Sequence, residues 1–361
     1  MRVFKTLVLL FLVIQTTVTV SQTILRADGP GDTYELINSV FAPGYNVIES
    51  PDCSHDSFGR HIDEIFDSEL NFYVFRFHIH TTPDNDRCIN FDRQRNEIKT
   101  YDKSPDSLLA VKDELVEYKW KFKIDDGFQS STSFTHIHQI KAVGGTEDAM
   151  PLITFTTRKG SPDKFELRYS KNLTQITLKE VDLSPFKGEW VEVKETILFD
   201  ELPAGKYAVI ITKVSDGSTI FEYNNESMRM WKTDADFLRP KWGIYRSLNN
   251  SINLRDEQVL FADIQIEEIG DPILGLEDLH TGPLDTIIAP NPFDKELIIT
   301  DFITTDYDKV LIYNSSGKLV FMENITSEKI EVDFLKDGLY FVVVTGSNVP
   351  RITLKMIKRR Q

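Results

Sequence analysis

Short runs in which apolar and polar residues alternate fill most of the chain between residues 22 and 270. Clear examples are Tyr73–His80, Tyr118–Ile124, Phe134–Ala142 and Lys241–Ser247. A period of two places successive side chains on opposite faces of a strand, and no long run has the 3.6-residue period of a helix. Turn residues separate the runs at roughly regular intervals. The pattern therefore predicts one all-β domain, namely a sandwich, jelly roll or barrel.

Several of these predicted strands have one polar face that is unusually rich in His, Arg, Lys and Tyr. Solvated strand faces more often carry Thr, Ser, Lys and Glu, so we expect a wet, concave and basic face on a curved sheet. Strict alternation groups the side chains as His136 with His138, Gln139 with Lys141, Arg93 with Arg95 and Lys99, Lys241 with Tyr245, and Arg76 with His78 and His80.

The first 21 residues have the pattern of a secretory signal peptide. Arg2 and Lys5 precede the apolar run Thr6–Ile14, and small or polar residues follow up to Ser21. The apolar run is too short to span a bilayer, and no other stretch is long and apolar enough to do so. We therefore expect an exported protein. In an oxidising compartment its two cysteines, Cys53 and Cys88, can form a disulfide, although their spacing does not show whether they meet.

Residues 286–361 differ in character from the rest of the chain. They contain Ala289–Phe293 (APNPF), Leu335–Val344 (LKDGLYFVVV) and a basic end, Lys355–Arg360, among alternating strands with Asn, Ser and Gly turns. The segment resembles the C-terminal sorting domain of the type IX secretion system of Bacteroidetes. That resemblance implies a small β-sandwich tail, a secretion machinery as partner and export across the outer membrane. Residues 271–285 are predicted to be a linker.

The charge of the chain is concentrated in its middle part. The 361 residues include 41 Lys and Arg against 56 Asp and Glu, which gives a net charge of −15. The signal peptide carries +2 and the tail balances ten acidic against ten basic residues, so residues 22–285 carry −15 − 2 = −17. An acidic chain repels phosphate, which argues against a nucleic-acid-binding protein. A basic face would therefore be a local feature.

Three strand motifs lie on the basic face: Arg95–Lys99 (RNEIK), His136–Lys141 (HIHQIK) and Lys241–Ser247 (KWGIYRS). They resemble the three signature strands of jelly-roll polysaccharide lyases, which in family 7 alginate lyases are RSELR, QIH and KAGxYxQ. The departures are His136 in place of Gln and Ser247 in place of the closing Gln. The sequence around these motifs, Asn85–Arg95 and Phe134–Gln139, is more similar to the family 28 ulvan lyases of marine Bacteroidetes. The family 20 glucuronan lyases are a related possibility.

This resemblance spans roughly residues 50–268 and implies a concanavalin-like β-jelly roll. It also implies β-elimination in a uronate polysaccharide, with ulvan, a sulfated acidic polymer of algal cell walls, as the expected substrate. We expect Arg95 to neutralise the uronate carboxylate, and His138 and Tyr245 to carry the protons as base and acid in an order left open. The expected substrate-binding residues are His136, Gln139, Lys141, Arg93, Lys99, His80, Lys241 and Arg246.

We expect a monomer that needs no organic cofactor. A structural Ca²⁺ is a further expectation, with Asp263 or the Asp84–Asp86 loop as candidate ligands.

Three other classes of function remain open. The two His-Ile-His triplets could bind zinc, or iron in a cupin-like barrel, but no Glu follows at the cupin position. Jelly-roll glycoside hydrolases use alternating carboxylates on one strand, and no such run is present. A non-catalytic carbohydrate-binding domain would need aromatic platforms, for which Trp120, Trp231 and Trp242 are candidates.

Overall fold

The structure is a computed structural model that describes residues 22–269, 288–299, 309–314, 319–346 and 349–359. The predicted signal peptide and linker lie outside these ranges. The strands of the first part are β1 (Gln22–Leu25), β2 (Ile48–Glu49), β3 (Ile62–Asp67), β4 (Phe72–Ile79), β5 (Arg93–Lys99), β6 (Glu114–Ile124), β7 (Thr135–Val143), β8 (Ile153–Arg158), β9 (Lys164–Tyr169), β10 (Ile176–Asp182), β11 (Val191–Phe199), β12 (Lys206–Lys213), β13 (Thr219–Asn225), β14 (Phe237–Ser247) and β15 (Glu257–Glu268).

These strands form two antiparallel sheets that enclose one core, which confirms the predicted β-jelly roll. The first sheet has the order β13-β12-β11-β6-β15-β4-β3, with β1 paired to β15. The second sheet has the order β10-β9-β8-β7-β14-β5-β2. Sequence neighbours such as β5 and β6 lie in different sheets, so the chain crosses between layers. This crossing brings the separate motifs of β5, β7 and β14 next to one another in the second sheet.

The core follows from period-two patterning. In β6, Val116, Tyr118, Trp120, Phe122 and Ile124 are buried, and the residues between them are polar and partly exposed. Burying such large side chains contributes roughly 1.5–3 kcal/mol each, which drives the two sheets together.

Only one α-helix occurs among the described residues, and the sequence did not predict it. This helix, α1 (Thr33–Phe41), buries Ile37 and Phe41, and Phe41 stacks on Trp242 of β14. Short 3₁₀ turns at Asp52–Ser54, Asp106–Leu108, Ser184–Phe186 and Ser251–Asn253 complete this part of the chain.

Strands β7 and β14 share an irregularity at the centre of the second sheet. His136 lies opposite Tyr245, and His138 lies opposite Trp242. Two residues of β14, Gly243 and Ile244, therefore lie opposite the single residue Ile137 of β7. On its other side, β7 carries Ile137 as an extra residue against β8. A bulge of this kind shifts the alternation of side chains by one residue. The β14 side of the irregularity includes Gly243, which has φ +146° and whose added Cβ would lie 2.1 Å from the Asn96 carbonyl oxygen.

The tail has its own core and the predicted antiparallel strands. They are β16 (Ile288–Ala289), β17 (Glu296–Ile299), β18 (Lys309–Asn314), β19 (Leu319–Asn324), β20 (Lys329–Glu331), β21 (Gly338–Gly346) and β22 (Val349–Lys358). They form one sheet of order β16-β17-β20 and another of order β19-β18-β21-β22. Buried residues of both sheets, including Leu297 and Val342, belong to the same hydrophobic cluster.

Candidate active site

The polar side chains of β5, β7 and β14 form one continuous surface, which we call the polar face. Its members are Arg93, Arg95, Glu97, Lys99, His136, Gln139, Lys141, Arg239, Lys241 and Tyr245. The strand register arranges them in rows. Tyr245 pairs across the sheet with Arg95 on one side and His136 on the other. The next row joins Lys99, Lys241 and Gln139 in the same way.

Tyr245 lies at the centre of the first row and is 9% exposed. Its Oη accepts a hydrogen bond of 2.9 Å from Nη1 of Arg93. The guanidinium carbon of Arg95 lies 3.7 Å from the centroid of the Tyr245 ring, within the range of a cation–π contact. Two arginines therefore contact one phenol, one at its oxygen and the other at its face. The positive charge at Arg93 stabilises negative charge on the phenol oxygen.

His136 lies beside Tyr245, with ring centroids 5.8 Å apart. Its Nδ1 is 2.8 Å from Oγ1 of Thr156, and among the described residues no hydrogen bond involves its Nε2. Burial lowers the pKa of His136 to about 3, and the positive charge of Arg95 adds to that effect. The imidazole is therefore neutral across the physiological pH range, with one ring nitrogen unprotonated.

Two buried carboxylates, Glu49 and Glu97, neutralise three cations of the polar face, namely Arg95, Lys99 and Lys241. Nη1 of Arg95 lies 2.6 Å from Glu97 and 3.3 Å from Glu49, and Lys241 contacts both carboxylates. Lys99 adds an ion pair of 2.7 Å to Glu49. Burial alone would raise the pKa values of Glu49 and Glu97, but Lys241 and Arg95 hold both below the usual range. Sequence reasoning did not place either carboxylate among the site residues.

Lys141 and Arg239 are different, because neither forms an ion pair with a carboxylate of the described residues. They face each other across β7 and β14. Nη1 of Arg239 donates to the Thr100 carbonyl, and its buried Nε has no partner. Burial lowers the pKa of Lys141, and the nearby positive charges of Lys241, Arg239 and Arg95 act in the same direction. An anionic ligand would relieve this local excess of positive charge. Arg239 was not among the predicted site residues.

The prediction that His136 and His138 share a face is wrong. The bulge at Ile137 turns His138 into the core, where it is fully buried and its Nε2 lies 2.9 Å from Oε2 of Glu195. Oε1 of Glu195 accepts a hydrogen bond from Tyr207. His138 therefore contacts the opposite sheet and does not reach the polar face, so it cannot carry a proton to a polymer there. The same bulge brings Gln139 and Lys141 onto the face of His136.

Three other predicted site residues lie away from the polar face. His80 belongs to a separate cluster described below. Arg246 is fully buried, with Nε donating to Gln94, because the side chain follows the interior face of β14. Asp263, the predicted calcium ligand, is held by ion pairs of 2.8 Å to Arg26 and 2.6 Å to Lys121. Two cations therefore balance that carboxylate, and a structural Ca²⁺ at Asp263 stays a prediction.

Two expectations about the supporting residues have clear outcomes. Cys53 and Cys88 form a disulfide, with Cα atoms 6.3 Å apart, as the sequence allowed. Two of the proposed aromatic platforms, Trp120 and Trp242, are core residues with exposures of 1% and 0%, and Trp231 is 8% exposed. None of the three offers an open surface on which a sugar ring could stack.

The comparison with protein families gives one match. Residues 287–359 match the family described as the secretion system C-terminal sorting domain. This domain marks the protein for type IX secretion to the cell surface or the extracellular space, as predicted. Among the described residues, no helix has the length and apolar character needed to cross a membrane. No curated protein matches the sequence.

Solved structures with similar folds include three polysaccharide lyases. An endo-β-1,4-glucuronan lyase from the fungus Trichoderma reesei has 16% identity and a TM-score of 0.42, covering 57% of this chain and 86% of its own. An alginate lyase from Pseudomonas aeruginosa has 13% identity and a TM-score of 0.40, covering 57% and 85%. A marine PL-14 alginate lyase from Aplysia kurodai has 13% identity and a TM-score of 0.46, covering 70% and 100%. Identities this low do not carry an activity from one protein to another.

Proposed function

We propose that the jelly-roll domain is a polysaccharide lyase that cleaves a uronate-containing polymer by β-elimination, with ulvan as its substrate. The observation that carries this proposal is the row formed by Arg95, Tyr245 and neutral His136. It sets a phenol and an unprotonated imidazole side by side on a basic surface. Elimination needs a base and an acid at one uronate ring, together with positive charge at the uronate carboxylate.

The proposed chemistry follows the order in which charge moves. The uronate carboxylate must be neutralised by positive charge on the polar face before the carbon next to it can lose a proton, and Lys141 and Arg239 are the cations of that face without a carboxylate partner among the described residues. Nε2 of His136 takes the C5 proton, and the electron pair forms the C4–C5 double bond as the C4–O bond breaks. Oη of Tyr245 gives its proton to the departing glycosidic oxygen. Arg93 then stabilises the resulting phenolate until Tyr245 is reprotonated from solvent and His136 releases the C5 proton to solvent.

This assignment changes two of the roles expected from sequence. His136 takes the place of His138 as base, since His138 contacts the core. Arg95 acts by positioning the Tyr245 ring, because its own charge is already balanced by Glu49 and Glu97. Tyr245 remains a proton carrier, and of the two roles left open by the sequence it is here assigned that of the acid.

The first experiment measures ultraviolet absorbance while the purified protein is incubated with ulvan, and with glucuronan and alginate in parallel. Elimination creates a conjugated double bond in the new terminal uronate, whereas hydrolysis does not. A rise with ulvan alone supports both the chemistry and the substrate. A rise with glucuronan or alginate alone keeps the chemistry and rejects ulvan. New reducing ends without absorbance would indicate a hydrolase, and binding without cleavage would indicate a carbohydrate-binding protein.

The second experiment compares Tyr245→Phe with Tyr73→Phe. Removing the Tyr245 hydroxyl should lower kcat by about 10²- to 10⁴-fold, because the leaving oxygen loses its proton donor. Tyr73 is a partly exposed tyrosine of the first sheet, and its replacement should leave kcat unchanged. Circular dichroism checks that both variants fold. Full activity in folded Tyr245→Phe would reject the proposed acid.

A further inference from the structure

A second cluster of titratable side chains lies apart from the row of Arg95, Tyr245 and His136. Its members are His55, His61, His80 and Asp84, and one potential ligand atom from each lies within 4.8 Å of all the others. His55 Nδ1 is 2.9 Å from Oδ1 of Asp84, and His61 Nε2 is 3.2 Å from the same oxygen. His80 Nδ1 is 3.0 Å from Oδ2. Three imidazole nitrogens thus converge on one carboxylate.

The cluster is enclosed. The side chains of His61 and Asp84 are fully buried, and those of His55 and His80 are 18% exposed. The ring of Phe58 covers it, with centroids 4.7 Å from His61 and 4.4 Å from His80. No Lys or Arg of the described residues pairs with Asp84. Three neutral imidazoles would leave this buried carboxylate without a positive counter-charge, which is a costly arrangement.

The partner of His61 on its other side points to a ligand. Nδ1 of His61 lies 2.8 Å from Oδ1 of Asp52, which also accepts the hydroxyl of Tyr34. A carboxylate that accepts the Nδ1 proton orients the ring and directs Nε2 at Asp84. Metal-binding histidines are oriented in this way by a carboxylate behind the ring. Nε2 and the Asp84 oxygen can lie this close only with a proton or a metal ion between them.

We propose that His55, His61, His80 and Asp84 bind one divalent transition-metal ion, with zinc as the fitting metal. Three imidazoles and one carboxylate are a ligand set that zinc takes in tetrahedral geometry. At Zn–N distances of roughly 2.0 Å, tetrahedral ligands are roughly 3.3 Å apart, so the present spacing closes by at most about 1.5 Å. Side-chain rotation about χ1 and χ2 can supply that movement. All four ligand positions are filled by protein, as in structural zinc sites.

The site would hold the segment that supports Arg95. Asp84 begins the loop in which Asp86 forms a 3.0 Å ion pair with Arg95, and the disulfide joins Cys88 of this loop to Cys53. Gln94 of β5 donates to the carbonyl oxygens of His80 and Asp84. A bound ion would therefore fix the loop between the disulfide and β5, and its role is structural.

The test uses the full purified chain, treated with chelator and then dialysed. Calorimetric titration with Zn²⁺ should show one ion bound per chain, and bound zinc should raise Tm. Replacement by Co²⁺ should give the intense visible absorption of a tetrahedral site. Failure of the wild-type chain to bind either ion stoichiometrically would overturn the proposal, and would mean that a proton on an imidazole balances Asp84 instead.

Variants locate the ion. His55→Ala should abolish stoichiometric binding, and Asp52→Asn should weaken it by about 10- to 100-fold. The matched control is His78→Gln: His78 is a nearby histidine that pairs with Asp63 at 3.0 Å and contributes nothing to the cluster. This control should bind zinc as the wild type does. Loss of binding in His78→Gln equal to that in His55→Ala would refute the assignment. If His55→Ala does not fold, the Co²⁺ spectrum of the wild type still decides.

Discussion

The two histidines of β7 lie only two residues apart, yet the bulge gives them different environments and hence separable roles. We consider the pair of variants His136→Leu and His138→Leu, because leucine has nearly the volume of histidine and leaves little cavity. His136 makes one hydrogen bond, to Thr156, and faces the polar face. His138 makes a hydrogen bond to Glu195 in the core, and its ring lies 4.4 Å from that of Trp120.

The expected magnitudes follow from these contacts. Losing the His138 partner leaves a buried Glu195 carboxylate with Tyr207 as its remaining donor. The free energy of unfolding should fall by about 1.5 to 5 kcal/mol, from the value of a hydrogen bond to a charged group up to that of a broken buried ion pair. In a domain of this size that lowers Tm by roughly 3–20 °C. His136→Leu loses one neutral hydrogen bond, about 0.5–1.5 kcal/mol.

Activity should change in the opposite order. His136→Leu should lower kcat/KM by about 10²- to 10⁴-fold, which corresponds to about 2.7–5.5 kcal/mol in the activation barrier. His138→Leu should keep most of its kcat/KM at temperatures where it is folded. The assay combines thermal unfolding by circular dichroism with the absorbance assay at a temperature at which both variants are folded. A folded but inactive His138→Leu beside an active His136→Leu would refute the bulge and the assignment of the base.

The further predictions concern three single groups. Because the folded-state pKa of His136 is about 3, below its usual 6.5, the acid limb of kcat/KM should lie well below pH 6; an apparent pKa near 6.5 would contradict this. Because the pKa of His136 is lowered on folding, its contribution to the free energy of unfolding is present above pH 6.5 and is lost as pH falls toward 3. Denaturation experiments should show no such loss in His136→Leu. Lys141→Met should lower kcat/KM by about 10- to 150-fold, the loss of one charge-assisted hydrogen bond, with Tm unchanged; an unchanged kcat/KM would exclude it from carboxylate binding. Burial raises the pKa of Glu114 to about 7, so its stabilising contribution is present below pH 4.5 and lost as pH rises through 7; Glu114→Gln should remove that loss, as measured by Tm against pH.

The fold was predictable because its signal repeats along the chain. Strand β6 alternates without interruption over Val116–Ile124, and the same period recurs in strand after strand. The helix α1 escaped prediction because it is only nine residues long, too short for a 3.6-residue period to repeat more than about twice. The disulfide could be suspected from two cysteines in an exported chain, but its formation depends on the distance between two loops.

The candidate site was predictable only in part. Tyr245 and Arg95 are brought together as expected, since strand alternation holds in β5 and in most of β14. Lys141 lies on the same face only because of the bulge in β7. His138 was misassigned because a bulge is one extra residue with no composition of its own, and only the strand partners reveal it. Glu97 lies between Arg95 and Lys99 on the same face of its own strand, which is visible in the sequence. Glu49 comes from a two-residue strand far away in sequence. The pairing of Glu49 with Lys241 depends on the folded topology.

The bulge at Ile137 also limits how this surface can diversify. Substitutions at Gln139 or Lys141 alter the chemistry of the face without changing which residues of β7 lie on it. An insertion or deletion of one residue in β7 would instead exchange the two faces of the strand, turning a core residue outward and a polar one inward. Related sequences that share this strand can therefore differ in the residue types of its polar face but not in its length. In an alignment of related sequences, the position of a one-residue gap near Ile137 would determine which histidine is aligned with His136.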